Sequence, residues 1–335
     1  MWTKDRRIDT MRYWLQRSYE DCQPYLSPVR LDISITTDCN TRCAYCWQQE
    51  KSGSLLTFKI VAELLDTMCS LNVPKLNLTG GEPTIWPDFE KLLAYAKGVG
   101  INSILLCTNG YRLRDLEFAE RIVDLGVTAI NVSVDTLDAD KFEMLRGYKF
   151  SEFQKVISNC IFLKKRYPKL CITLASVMSK SVTPEDLFAV KKLSKANNFG
   201  YFMQTFDRTG YYKINKKFML MPQERQPYIQ KLAWLEGKVG DVVKRANNPF
   251  TEGNRNLRCY KGITTIKLLS DGSISFCWNT KPIGNILESS FNDIWTSDKA
   301  RQVREYIRDK KCKCVFDCDI FESLELYGYT KSQLT

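Results

Sequence analysis

Between residues 29 and 206, short runs of alternating or continuous apolar residues take turns with longer stretches of helical periodicity. The short runs are PVRLDISIT (28–36), KLNLT (75–79), SILLC (103–107), AINVSV (129–134), LCITLASV (170–177) and GYFMQTF (200–206). Their β-branched content and flanking turn residues predict strands. Helix signals fall between them. Thr57 can cap one helix, and Thr183-Pro184-Glu185-Asp186 opens another, with proline at the first helical position and acids in the first turn. Ser151 with Gln154 fits a capping box for a third. Six strands alternating with helices predict an α/β fold with a parallel sheet, either doubly wound or barrel-like. Both place their active sites at the carboxyl ends of the strands.

The flanks read differently. Residues 1–28 form a basic, aromatic arm in which Met11, Trp14 and Leu15, at helical spacing, predict a helix lying on the body. Residues 207–257 are polar and turn-rich, with one helix expected near 223–239, and read as a connection. From 258 the segment GITTIKLLSDGSISFCW reads as two strands joined by Asp271-Gly272, followed by a helix near 290–309. The division expected is therefore an arm (1–28), a core (29–206), a connection (207–257) and a small C-terminal domain (258–325).

Composition narrows the chemistry. The 335 residues include 13 Cys and no His. Without histidine there is no Ser-His-Asp triad, no Cys-His nucleophile and no HExxH zinc site. Any metal must bind thiolates or oxygens. The net charge of +11 permits an anionic partner, but the basic residues are scattered rather than interleaved densely with aromatics, which argues against nucleic acid. No apolar run approaches the roughly 20 residues of a membrane helix, and the first residues carry no secretory apolar region. Cys22, Cys69, Cys107, Cys160 and Cys171 sit singly, as suits a reducing cytoplasm, and are expected as small buried hydrophobes.

The remaining cysteines are patterned. Cys39, Cys43 and Cys46 form CxxxCxxC directly after the first strand. Three thiolates on one short loop can hold three irons of a [4Fe–4S] cube and leave the fourth open to chemistry. With Tyr45 before the third cysteine, this segment resembles the radical S-adenosylmethionine (SAM) superfamily. The order of later motifs agrees: Thr79-Gly80-Gly81-Glu82-Pro83 after the second strand, Thr108-Asn109-Gly110 after the third, Ser133-Val134-Asp135 ending the fourth, and Arg146 in MLRG. The resemblance implies a partial (β/α)6 barrel, in which Gly80, Gly81 and Glu82 take the amino group of SAM. Ser133 and Asp135 then lie at its ribose, Arg146 reaches its carboxylate, and Tyr45 and Asn109 complete the cofactor site. It also implies an electron donor such as flavodoxin or ferredoxin.

Cys259-x12-Gly272-x4-Cys277, the Ile283-Gly284-Asn285-Ile286 run and Phe291 to Trp295 resemble SPASM and twitch domains, which add an auxiliary iron–sulfur cluster. With Cys312, Cys314 and Cys318 there are five thiols, enough for one four-ligand cluster and one spare. A Cys₄ zinc site is the alternative for these residues. Enzymes that oxidise Cys or Ser in sulfatases resemble this chain but carry Asp where Trp278 stands, which argues against that activity.

The expected function is hydrogen-atom abstraction by a 5′-deoxyadenosyl radical from a small polar substrate (sugar, aminocyclitol or nucleotide-linked), followed by oxidation. Maturation or epimerisation of a ribosomal peptide is the alternative, and a non-enzymatic iron–sulfur sensor is disfavoured by the complete SAM-binding set. Cys107, at the carboxyl end of the third strand, is the candidate catalytic thiol, able to return a hydrogen atom to a carbon radical. Asp207, Tyr211 and Tyr212 are candidates to border the substrate.

Overall fold

The computed structural model describes residues 4–46, 53–205, 259–278 and 280–309, together with 216–218, 220, 222–235 and 311. Helix α1 (Lys4–Asp21) precedes β1 (Arg30–Ser34). The repeat then runs α2 (Phe58–Ser70), β2 (Lys75–Thr79), α3 (Phe89–Gly98), β3 (Ser103–Thr108), α4 (Leu116–Asp124) and β4 (Val127–Ser133). It continues with α5 (Ala139–Arg146), α6 (Phe150–Arg166), β5 (Cys171–Met178), α7 (Pro184–Ala196) and β6 (Gly200–Thr205), and α8 (Pro222–Leu235) follows.

Strands β1 to β6 are parallel and lie side by side in chain order. Every crossover therefore steps in the same direction and, being right-handed, puts its helix on the same face of the sheet. That path makes a barrel, here a partial one, and not a doubly wound sheet. Leu31, Leu76, Ile104, Ile130 and Ile172 point to the helix side and join one buried cluster. The alternate residues stand on the concave face.

That concave face is polar. Closed barrels usually fill it with branched apolar side chains, but here it carries Asp32, Asn77, Cys107 and Asn131. Strand β7 (Thr265–Leu268) pairs parallel with β1 and sets Lys267 opposite Asp32. Lys267 Nζ lies 2.5 Å from Asp32 Oδ2, and Arg30 Nε lies 2.7 Å from Asp32 Oδ1. The Lys267 ammonium also sits 4.7 Å from the centre of the Trp278 ring. Burial pushes the Asp32 carboxyl up, but Lys267, Arg30 and Lys261 outweigh it and hold the group down at about 2.

The C-terminal hairpin continues the same sheet. β7 pairs antiparallel with β8 (Ser273–Ser275), which pairs with β9 (Gly284–Asn285), so this segment is joined edge-on to the barrel through β1. Asp271-Gly272 makes the turn, as expected, with Gly272 at φ +83°. The helix expected near 290–309 is two, Phe291–Thr296 and Asp298–Arg308, because Ser297 stops the first and caps the second through Ala300 N. Arg304 ties them to the sheet. It donates to Gly262 O and Trp295 O, both at 2.8 Å, and stacks between Phe276 and Trp295.

Some local expectations change. Thr57 and Thr183 cap their helices, the latter in a capping box with Asp186. Ser151 and Gln154 do not form one: α6 starts at Phe150, whose N–H is taken by Glu143 Oε1 of the preceding helix at 2.9 Å. Leu15 is buried against Tyr260 and Ile263, but Trp14 faces outward, edge-on to Tyr13 and Tyr25. Among the single cysteines, Cys22 and Cys160 are buried, whereas Cys69 and Cys171 are exposed. Cys69 lies in the last turn of α2 and Cys171 at the first position of β5, both at the rim rather than in the core.

Candidate active site

The first strand-to-helix loop and the loop after β2 are knitted together before any cysteine is reached. Ile35 N donates to Thr79 O at 2.9 Å, Gly81 N to Thr36 O at 2.6 Å and Glu82 N to Asp38 O at 2.7 Å. A Cβ on Gly81 would lie 2.0 Å from Asp38 O, so only glycine permits this approach. Two of the backbone N–H groups in this turn are therefore occupied within the protein.

Around this frame the thiols are provided with donors. Thr41 Oγ1 lies 3.3 Å from Cys39 Sγ and 3.8 Å from Cys43 Sγ. Asn109 Nδ2 reaches Cys39 Sγ at 3.5 Å, Asn40 Oδ1 at 2.8 Å and Thr41 Oγ1 at 3.2 Å. Arg146 Nη1 is 3.9 Å from Cys43 Sγ. Cys39, Cys43 and Cys46 line one cavity of about 530 Å³, shared with Gly80, Gly81, Cys107, Asn109, Ser133 and Arg146. That volume suits a small molecule. Three thiols on one loop, two of them beside hydroxyl, amide and guanidinium donors, in a chain without histidine, fit a thiolate-bound iron–sulfur cluster, whose sulfurs accept such bonds.

Three residues expected at the cofactor stand behind the wall. Glu82 is fully buried, and its carboxylate accepts from Thr84 N, Thr84 Oγ1, Thr108 Oγ1 and Asn109 N at 2.6–3.2 Å. Burial raises its pKa against those four donors. Asp135 is also fully buried; it accepts from Val177 N at 2.8 Å and from Tyr45 Oη, and pairs with Arg146 Nη2 at 3.0 Å. Tyr45 is 6% exposed and faces Asp135 rather than the cavity.

Cys107 is on the cavity wall, as expected from its place in β3. Burial, and next the charge of Asp32, push its thiol up to about 11, so it holds its proton. Asn131 Nδ2 lies 3.9 Å from its sulfur. Of the second cysteine set, Cys259 is half-buried beside the main core and Cys277 is buried at the end of the hairpin. Cys312, Cys314 and Cys318 lie outside the described residues, as do Asp207, Tyr211 and Tyr212.

Two features were not anticipated. Thr41, bridging two thiols, was hidden inside a motif read for its cysteines alone. The Asp32–Lys267 pair had a signal, a charge in the middle of each of two apolar strands, that marks a polar concave face.

A partial parallel barrel with three thiols on its first strand-to-helix loop, opening on a small-molecule cavity, defines an iron–sulfur enzyme of the barrel class. Residues 33–194 match the radical SAM superfamily, and residues 259–319 match the SPASM iron–sulfur cluster-binding domain. The chain belongs to the radical SAM superfamily and carries a SPASM domain. These domains bring a [4Fe–4S] cluster, SAM and an auxiliary iron–sulfur cluster. Relatives include the GTP 3',8-cyclase of Synechococcus elongatus, 31% identical over 201 residues, covering 52% of this chain and 58% of that one. A second is the GTP 3',8-cyclase of Haemophilus influenzae, 31% identical over 214 residues and covering 61% of each. The chain thus spans only about three fifths of these relatives' length. Among solved structures, Streptococcus suis SuiB bound to S-adenosylmethionine superposes with TM-score 0.65 at 16% identity, covering 91% of this chain and 75% of that one. The anSMEcpe structure superposes with TM-score 0.58 at 17% identity over 92% and 98%. These likenesses establish the fold. No helix among the described residues is long and apolar enough to cross a membrane.

Proposed function

We propose that Cys39, Cys43 and Cys46 hold the SAM-cleaving cluster and that the enzyme acts on a small polar substrate, nucleotide-linked in the first instance. The observation that carries the substrate half is the polar concave face, where a buried Asp32–Lys267 pair takes the place of an apolar lumen. The relatives named for action on GTP support a nucleotide. When bound, the cluster and SAM supply a 5′-deoxyadenosyl radical that takes a hydrogen atom from carbon. Cys259 and Cys277, with two of Cys312, Cys314 and Cys318, are the ligands we assign to the auxiliary cluster.

The chain's own residues divide the remaining work. Ser133 offers its hydroxyl on the cavity wall, toward the SAM ribose. Gly80 and Gly81 line the cavity and let the loop after β2 close against the loop that carries the three cysteines. Glu82 acts from behind by fixing the Thr108-Asn109 turn, and Asn109 in turn aims at Cys39.

The fate of the substrate radical is the point at which the reading departs from oxidation. The relatives' name describes ring formation, and Cys107 stands on the wall with its S–H intact. In this reading the product radical takes a hydrogen atom from Cys107. The thiyl radical left behind then takes one electron from a flavodoxin- or ferredoxin-class reductant and one proton from solvent, which restores the thiol. GTP, nucleotide sugars and short peptides incubated anaerobically with SAM in D₂O provide the test. The expected product has the substrate's oxidation state and one new deuterium on carbon. Cys107→Ala is expected to lose that product while still forming 5′-deoxyadenosine. An oxidised product without deuterium would restore oxidation, and turnover of peptides alone would overturn the substrate class.

A further inference from the structure

We infer that the carboxyl-terminal end of α5 is a preformed clamp on the cluster loop, and that Arg146, held by Asp135 and Tyr45, is a positioning residue that sets the charge felt by the Cys43 sulfur. This rests on the assignment of the SAM-cleaving cluster to Cys39, Cys43 and Cys46.

The contacts converge from both sides. Ala44 N donates to Leu145 O at 2.9 Å, so the middle of the CxxxCxxC loop borrows one of the carbonyls left open at the end of α5. Gly147 ends that helix at φ +72°, and a Cβ there would lie 3.0 Å from both Arg42 N and Arg42 O. Helix end and loop therefore meet backbone to backbone. Cys43 Sγ lies 3.8 Å from Arg146 O and 3.9 Å from Arg146 Nη1. The loop grips back through Tyr45, whose hydroxyl donates to Asp135 Oδ2, the same oxygen that pairs with Arg146 Nη2 at 3.0 Å. Val177 N, at 2.8 Å, takes the other oxygen. Arg146 is 5% exposed and Asp135 fully buried, so water screens little of this set.

The electrostatic consequence has a sign. A cation beside a ligating sulfur favours the reduced, more negative cluster and raises its potential. Asp135 opposes Arg146 and lowers it. Removing either one breaks the same ion pair, so damage to packing alone would affect both variants alike. Removal of charge moves the potential in opposite directions.

The test is a redox titration by electron paramagnetic resonance on the reconstituted holoprotein without SAM. It follows the signal absent from a Cys39/Cys43/Cys46→Ala variant. Arg146→Gln is expected to shift the potential down and Asp135→Asn to shift it up, while Arg146→Lys, keeping the charge, stays near wild type. Tyr45→Phe is the mild variant should the buried charge changes unfold the protein: losing the phenol donor leaves Asp135 more negative and lowers the potential. Shifts of the same sign in Arg146→Gln and Asp135→Asn, or no shift in Tyr45→Phe, would overturn the inference and leave the cluster assignment standing. A wild-type protein with no signal beyond that of the triple variant would overturn both.

Discussion

Replacing Cys39, Cys43 and Cys46 together with alanine is expected to halve the iron of the anaerobically reconstituted protein, from about eight to about four atoms per chain. It should also abolish 5′-deoxyadenosine formation while leaving the protein folded. The three thiols line the cavity at the carboxyl ends of the strands, and the main core is built from the other face of those strands and the helices upon it. Loss of rim residues does not empty that core. Iron and sulfide analysis, a chromatographic assay of 5′-deoxyadenosine and a circular-dichroism melt read the three outcomes. Wild-type protein with about four irons and one zinc would instead place zinc in the C-terminal cysteine set.

The second large effect concerns stability. Asp32→Ala is expected to cost about 3–5 kcal/mol, because it leaves Lys267 and Arg30 as buried cations without their shared partner. The double change Asp32→Leu with Lys267→Met should recover the Lys267 share of that loss, since a buried pair exchanged for apolar groups of similar volume is close to neutral, and leaves only Arg30 without its partner. The pH dependence follows from the same pair. The Asp32 carboxyl is held at about 2 in the folded protein, against 3.8 for a free carboxyl of its kind. A depressed carboxyl contributes stability that is whole above pH 4 and is lost as pH falls through about 2. The contribution is on the order of 2 kcal/mol. Urea unfolding at pH 7 and pH 3 should therefore show a steeper loss in wild type than in the double variant. Equal losses would mean that the pair does not carry the charge linkage.

Much of the fold was legible because it is written locally. Each of β1 to β6 is an apolar run closed by a turn, and the crossover helices announce themselves through caps such as Thr57 and Thr183. What failed was what depends on neighbours. Ser151 and Gln154 have the right spacing for a capping box, but Glu143 from the adjacent helix reaches Phe150 N first and starts α6 earlier. Trp14 has helical spacing with Leu15, yet only Leu15 meets Tyr260. Asp32 and Lys267 are 235 residues apart, and only the β1–β7 register makes them a pair. The same holds at the site. The motif order located the cavity wall at Gly80, Asn109, Ser133 and Arg146. It could not show that Glu82 and Asp135 spend their oxygens on protein donors, because, Thr84 apart, those donors come from the end of β3 and the turn after it, from β5, from Tyr45 of the cluster loop and from Arg146 of α5.

The most direct measurement is the release of 5′-deoxyadenosine and methionine from SAM by reconstituted wild-type protein under anaerobic reduction with dithionite, followed by mass spectrometry. Cleavage at the cavity of Cys39, Cys43 and Cys46 predicts both products in equal amounts, dependent on reductant and absent from the triple alanine variant. Protein that holds both clusters yet releases no 5′-deoxyadenosine, or a triple variant that still releases it, would contradict that assignment.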